Sequence, residues 1–92
     1  MVINFDFHLK GLDGIPIAGS EGHAGMLLGN LLASAFEGDK MKFYGWAVKL
    51  YSKQQLDIDF SDFEKIKKFI TNHKNMTAIC EGQLLEYLLT VK

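Results

Sequence analysis

The first ten residues alternate between apolar and polar side chains. One side of the alternation carries Ile3, Phe5, Phe7 and Leu9, and the other carries Asn4, Asp6, His8 and Lys10. A period of two over this length predicts a half-buried β-strand over residues 2–10. Residues 11–14 end in Asp-Gly, a pair that favours a tight turn because both residues tolerate positive φ angles. Residues 15–17 can then return as a short second strand, so the chain is predicted to begin with a β-hairpin.

Helical periodicity begins near Gly22. Residues 24–35 place leucine and alanine on one broad face, with Gly25, Gly29 and Ala33 as an adjacent strip of small residues. Gly38 is predicted to end this helix and Asp39 to cap a second helix over residues 40–52. Residues 54–60 alternate again, which fits either a third short strand or an extended linker that buries its apolar side chains.

Two further helices are predicted in the second half of the chain. Ser61 and Glu64 have the spacing of a capping box, which predicts that a helix opens at Ser61. This helix has an apolar stripe of Phe63, Ile66, Phe69 and Ile70. A last helix over residues 76–91 places Leu84 and Leu88 on its apolar face, while Leu85 and Leu89 lie off that face.

Strands followed by helices predict an α+β fold, an N-terminal β-hairpin packed on a bundle of about four helices. The chain has 92 residues, so we expect a single domain over residues 1–92. One cysteine, Cys80, excludes an intrachain disulfide. The N-terminus shows no signal peptide, and no apolar run in the sequence approaches the ~20 residues that span a bilayer, so we expect a cytoplasmic protein without membrane contact.

The charged residues bear on the class of partner. The chain has ten lysines, no arginine and a net charge of −1. Recognition of phosphates and base edges favours arginine, whose planar group donates to two acceptors at once. We therefore expect no nucleic-acid partner, and the lysines near residue 67 are interpreted as a solvated helix face.

Candidate catalytic and ligand sites are weakly supported. The glycines at positions 19, 22 and 25 match neither common phosphate-binding motif, and residues 11–39 contain no lysine or arginine. Asp13, Ser20 and His23 have the residue types of a hydrolase triad but not its spacing. The carboxylates of Asp57, Asp59 and Asp62 resemble only a fragment of a calcium loop. We expect no enzyme, no cofactor and no bound metal.

Two other classes of function stay open, a small-ligand or hydrolytic domain and a transcriptional regulator. A small-ligand or hydrolytic domain would use Ser20 and His23, or a pocket at Trp46. Phe43, Tyr44, Trp46 and Tyr51 form an aromatic cluster whose helical spacing is more typical of a core than of a pocket. A transcriptional regulator would show salt-dependent DNA binding, which the missing arginines argue against.

The first and second helices are apolar or small over most of their circumference, more than a surface helix needs. This width predicts a surface for a protein partner or for a second copy, with a homodimer as the first expectation. The candidate interface residues are Gly25, Gly29, Ala33, Leu85 and Leu89. The second helix could equally use the small residues of the first within the same chain.

Three segments carry a resemblance to known proteins. They are Asp-Gly-x-Pro-Ile at 13–17, Gly-Asp-Lys-x-Lys-Phe-Tyr-x-Trp-Ala-x-Lys-Leu-Tyr at 38–51 and Glu-Gly-Gln-Leu-Leu-Glu at 81–86. With them the chain resembles small uncharacterised proteins from the structural-gene regions of bacteriophages and prophages, some in Bacteroides-type hosts. The resemblance implies an accessory protein of virion or tail assembly that acts through protein contacts. It carries over no functional residues.

Overall fold

The computed structural model describes residues 1–19, 22–74 and 76–91. In these ranges the fold is α+β, with an N-terminal antiparallel hairpin and four helices, as the sequence predicts. The elements in chain order are β1 (Val2–Ile3), α1 (Ala24–Ala33), α2 (Lys40–Tyr51), β2 (Leu56–Asp57), α3 (Phe60–Asn72) and α4 (Ala78–Thr90). No helix in the described ranges has the length and apolar character needed to cross a membrane.

The chain divides into two compact units. Asn4–Leu56 forms one unit, which contains the hairpin, α1 and α2. Met1–Ile3 and Asp57–Lys92 form the other, which contains α3 and α4. The expectation of a single domain over residues 1–92 stays a prediction.

The hairpin closes around the predicted Asp-Gly turn. Gly14 donates to the carbonyl of Gly11 at 3.0 Å and has a φ of +82°, which a side chain would disfavour. On either side of this turn the chain pairs through two backbone hydrogen bonds, from Gly11 to Ile15 at 3.0 Å and from Ile17 to Leu9 at 2.8 Å.

The predicted strand over residues 2–10 is mostly wrong, because regular strand covers only Val2–Ile3. The Asn4 side chain accepts from the backbone N–H of Asp6 at 2.9 Å, and Phe7 donates to the carbonyl of Phe5 at 2.8 Å. These local bonds bend the chain at Asp6 and compete with a continuous ladder. The alternation in burial persists nonetheless, since Ile3, Phe5 and Leu9 are buried and Phe7 is partly buried.

The segment over residues 54–60 contains the third short strand, which was one of the two possibilities open from sequence. Leu56–Asp57 is β2, and it pairs with β1. Met1 and Ile58 exchange two hydrogen bonds, from the N-terminal amine to the Ile58 carbonyl at 2.7 Å and from Ile58 N–H to the Met1 carbonyl at 2.9 Å.

The packing of α1 on α2 depends on two glycines. A Cβ at Gly29 would lie 3.0 Å from the Ala47 carbonyl oxygen and 3.3 Å from the Tyr51 nitrogen. A Cβ at Gly25 would lie 2.8 Å from the Leu50 carbonyl oxygen. The backbone of α2 therefore occupies the space that side chains would fill, and α2 turns Phe43, Trp46, Ala47 and Leu50 inward.

The predicted N-terminal cap is confirmed for α2 and wrong for α3. Asp39 caps α2 through a 3.3 Å hydrogen bond from Lys42 N–H, and Gly38 before it has a φ of +94°. The predicted capping box at Ser61 is wrong, because Asp59 caps α3 by accepting from Asp62 N–H at 2.8 Å. An aspartate caps as well as a serine, so the helix starts at Phe60 and Ser61 lies inside it.

The close approach of α1 and α2 predicts opposite effects for one substitution at two helical glycines. Gly29→Leu should lower the free energy of unfolding by about 2–3 kcal/mol, because the added carbons overlap the α2 backbone. Gly45→Leu is the matched control, since a Cβ there meets nothing within 4 Å. It should raise stability by about 0.5–1 kcal/mol through helix propensity. Urea unfolding measures both, and equal effects would contradict the packing described.

Candidate functional site

The N-terminus of α1 has no amide left for an anion. Ala24 donates to the Phe7 carbonyl at 2.8 Å and Gly25 to the Phe5 carbonyl at 3.0 Å. Met26 donates to the His23 side chain at 3.2 Å. A helix start binds phosphate through these first N–H groups. Because these three amides are already satisfied within the chain, the start of α1 does not offer them to a phosphate in this conformation.

His23 is buried, with both ring nitrogens engaged. Nδ1 accepts the Met26 N–H, so the ring proton is on Nε2, which donates to the Asp6 carboxylate at 2.9 Å. A general base needs a free nitrogen directed at its nucleophile. Asp13 instead accepts from Ile15 N–H at 3.0 Å in the hairpin turn, and Ser20 lies outside the described residues. The structure thus does not bring His23 and Asp13 together as a triad.

Asp59 is the one calcium-loop candidate to which we assign a capping role, at the start of α3. No group of three or more His, Cys, Asp or Glu residues in the described ranges is arranged to hold a metal ion. The lysines at positions 65, 67 and 68 line a shallow groove on α3 together with Glu64 and the polar residues Ser61, Thr71 and Asn72.

The aromatic cluster of α2 separates into two pairs. Phe43 and Trp46 are buried, with ring centroids 5.8 Å apart, and they belong to the core. Tyr44 and Tyr51 are 64% and 47% exposed, so the expectation that all four are core residues is wrong for these two. Their direction follows from the helix, because α2 already buries the opposite face against α1.

Four apolar side chains follow one another along the exposed side of α2, which we call the outer face of α2. Its members are Met41, Tyr44, Val48 and Tyr51, each about half exposed or more. Their spacing of three, four and three residues keeps them on one stripe. Lys40, Lys42 and Lys49 are also exposed, and α2 contains no acidic residue.

A second exposed stripe runs along α4. We call it the outer face of α4, and it consists of Ala78, Gly82, Leu85 and Leu89. Leu89 is 71% exposed and Leu85 is partly buried, while Leu84 and Leu88 are buried on the other side. Glu81 and Glu86 flank the stripe, and α4 contains no basic residue. The two leucines therefore lie off the core face, as the sequence predicts, and their role in an interface stays a prediction.

The strip of small residues on α1 requires a correction. Gly25 and Gly29 are buried under α2 of the same chain, so they are not available to another protein. This is the intrachain alternative that their spacing also allowed. Ala33, the third member, is exposed at the end of α1.

The chain was compared with protein-family models, with curated proteins and with solved structures. None of the three comparisons gives a match.

The bonds of His23 predict graded losses of stability. His23→Ala should lower the free energy of unfolding by about 2–3 kcal/mol, since it removes a helix cap and a buried hydrogen bond to a carboxylate. His23→Asn restores the cap and should recover about 1 kcal/mol. Urea unfolding measures both, with Asn30→Ala, at an exposed position of the same helix, as the control. If His23→Ala were as stable as the wild type, the hydrogen bonds of this ring would contribute nothing.

Two adjacent leucines in α4 should respond differently to charge. Leu89→Asp should change the free energy of unfolding by no more than about 0.5 kcal/mol, because the side chain is already solvated. Leu88 is 1% exposed. Leu88→Asp should lower stability by more than about 3 kcal/mol, because it buries a carboxylate without a partner. Thermal unfolding followed by circular dichroism distinguishes them, and unfolding of the Leu89 variant would place that residue in the core.

Proposed function

We propose that this chain is a non-enzymatic protein-interaction protein whose principal contact surface is the outer face of α2. One observation carries the proposal, the stripe of Met41, Tyr44, Val48 and Tyr51. Contiguous apolar surface on a soluble protein marks an interaction site more often than single exposed residues do. Tyrosine and methionine are also enriched in interfaces.

The energetics of this face favour a partner. Fully burying a side chain the size of methionine or valine contributes about 1.5–3 kcal/mol, so four such side chains supply a substantial driving force. Part of it offsets the entropy lost on association. No role in folding accounts for the stripe, because α2 already contributes Phe43, Trp46, Ala47 and Leu50 to the core.

The polar groups at the start of α1 are consistent with a non-enzymatic function, because they form hydrogen bonds within the chain. His23 holds the start of α1, and the amides of that helix start are satisfied within the chain. The resemblance to proteins of phage and prophage structural regions adds a biological context, an accessory role in virion or tail assembly. A small-ligand or hydrolytic domain is the competing function, and of its candidate residues within the described ranges, Trp46 is buried in the core and His23 caps α1.

Site-specific photo-crosslinking tests the proposal. A benzophenone amino acid in place of Tyr44 should give discrete adducts in host cells that contain the other virion genes. Mass spectrometry should identify them as a virion protein or a second copy of this chain. The same amino acid in place of Glu64, exposed on α3, is the control.

The proposal fails if position 44 gives no adduct beyond those of position 64. In that case, a reproducible rise in the unfolding temperature of the purified protein on addition of one metabolite would support the ligand-binding alternative.

A further inference from the structure

We infer that the outer face of α2 binds the same face of a second copy of this chain, with the two α2 helices antiparallel. The inference rests on the proposed function and names the partner for it. Every residue of the proposed contact lies in α2, which belongs to the unit Asn4–Leu56. The contact therefore involves only this unit of each copy.

The spacing of the stripe fits another helix. Its four members are three, four and three residues apart, which is the pattern of the a and d positions in a coiled-coil seam. Side chains at these positions pack by inserting between side chains of one facing helix. The stripe contains no charged residue, so the facing helix needs an apolar stripe of its own.

The stripe is complementary to itself. Its spacing is the same in both directions along the helix, so a two-fold axis at its midpoint superimposes it on its own pattern. Antiparallel pairing about this axis places Met41 opposite Tyr51 of the other copy, and Tyr44 opposite Val48 of the other copy. Each pair sets a tyrosine against a smaller or more flexible side chain, which favours close packing. One arrangement therefore covers the whole stripe of both copies.

The charge beside the stripe favours the antiparallel orientation. Lys40 lies at the edge of the stripe, one turn before Tyr44, whereas Lys42 and Lys49 lie further round the helix. A parallel pair would bring the two Lys40 side chains together. In the antiparallel pair they lie at opposite ends of a helix of 12 residues, about 18 Å apart, where salt screens most of their repulsion.

The exposed area of the stripe reaches what a weak dimer needs. Met41 is 79% exposed and Val48 is 50% exposed. Together with the two tyrosines they expose about 500 Å², since a fully exposed large side chain presents about 150–250 Å². Two copies would then bury about 1,000 Å² in total, the lower limit for a specific interface. The dimer should therefore be weak and should depend on protein concentration.

Disulfide cross-linking tests the orientation, in a Cys80→Ala background. Met41→Cys and Tyr51→Cys should form a covalent dimer when the two variants are mixed under mild oxidation, because the inferred pair places these positions opposite each other. Each variant alone should give about tenfold less, because identical positions would lie about 15 Å apart and a disulfide requires Cα atoms within ~7 Å. Leu12→Cys mixed with Tyr51→Cys is the control for random collision, since Leu12 is exposed and lies outside α2.

Sedimentation velocity measures the strength of the dimer. Wild type should associate with a dissociation constant between ~10 µM and ~1 mM, as expected of a small interface. Tyr44→Glu should weaken association by at least about tenfold, because it removes an aromatic anchor and places a carboxylate in the seam. Leu12→Glu is the matched control, an exposed apolar residue of the same unit outside the outer face of α2. Circular dichroism shows that each variant retains its fold.

Three results would each overturn the inference. The first is a wild type that stays monomeric up to ~1 mM. The second is cross-linking by either single variant as strong as that of the mixture. The third is association of Tyr44→Glu as tight as that of Leu12→Glu. In each case an adduct from position 44 with a different protein leaves the proposed function standing, whereas no adduct beyond those of position 64 removes both.

Discussion

The contact between the backbones of α1 and α2 determines the arrangement of the unit that contains them. Gly25 and Gly29 let the carbonyl oxygens of Leu50 and Ala47 approach to within 2.8 Å and 3.0 Å of where a Cβ would lie, closer than side chains normally pack. This approach fixes which side of α2 is inward, and so brings Phe43 and Trp46 into the core. It also fixes which side is outward. The outer face of α2 is thus a direct result of two missing side chains on its neighbour.

The start of α1 shows how local chemistry shapes the N-terminal region. The carbonyls of Phe5 and Phe7, which a regular strand would use for a ladder, accept from α1 instead. The bend at Asp6 also brings its carboxylate to His23. A helix start without its own acidic residue is therefore stabilised by a segment that the sequence pattern assigns to a strand.

Periodicity and residue type together predicted much of the fold. The helices, the Asp-Gly turn and the cap at Asp39 follow from spacing and residue type, which act over a few neighbouring residues. The two wrong predictions, the α3 cap and the long first strand, have a common cause. In each case the backbone has two local hydrogen-bonding arrangements of similar stability. Asp59 and Ser61 are both good caps, and Asn4 offers the backbone an alternative to a ladder.

The candidate surfaces were harder to predict. The strip at Gly25 and Gly29 suits a helix from the same chain or from another, and spacing does not distinguish the two. Tyr44 and Tyr51 share their helix with Trp46, so composition indicates a single cluster where the structure has a buried and an exposed pair. Only the excess apolar width of α2 signalled that one of its sides would remain uncovered.

If a partner covers that side as proposed, the abundance of the protein should depend on it. A partner that binds only the folded state adds to its stability by mass action, by about 2.7 kcal/mol at a concentration one hundred times the dissociation constant. Chains without a partner unfold more often and are removed sooner by cellular proteases. The level of this protein would then follow the level of whatever covers Met41, Tyr44, Val48 and Tyr51, and an excess would not accumulate.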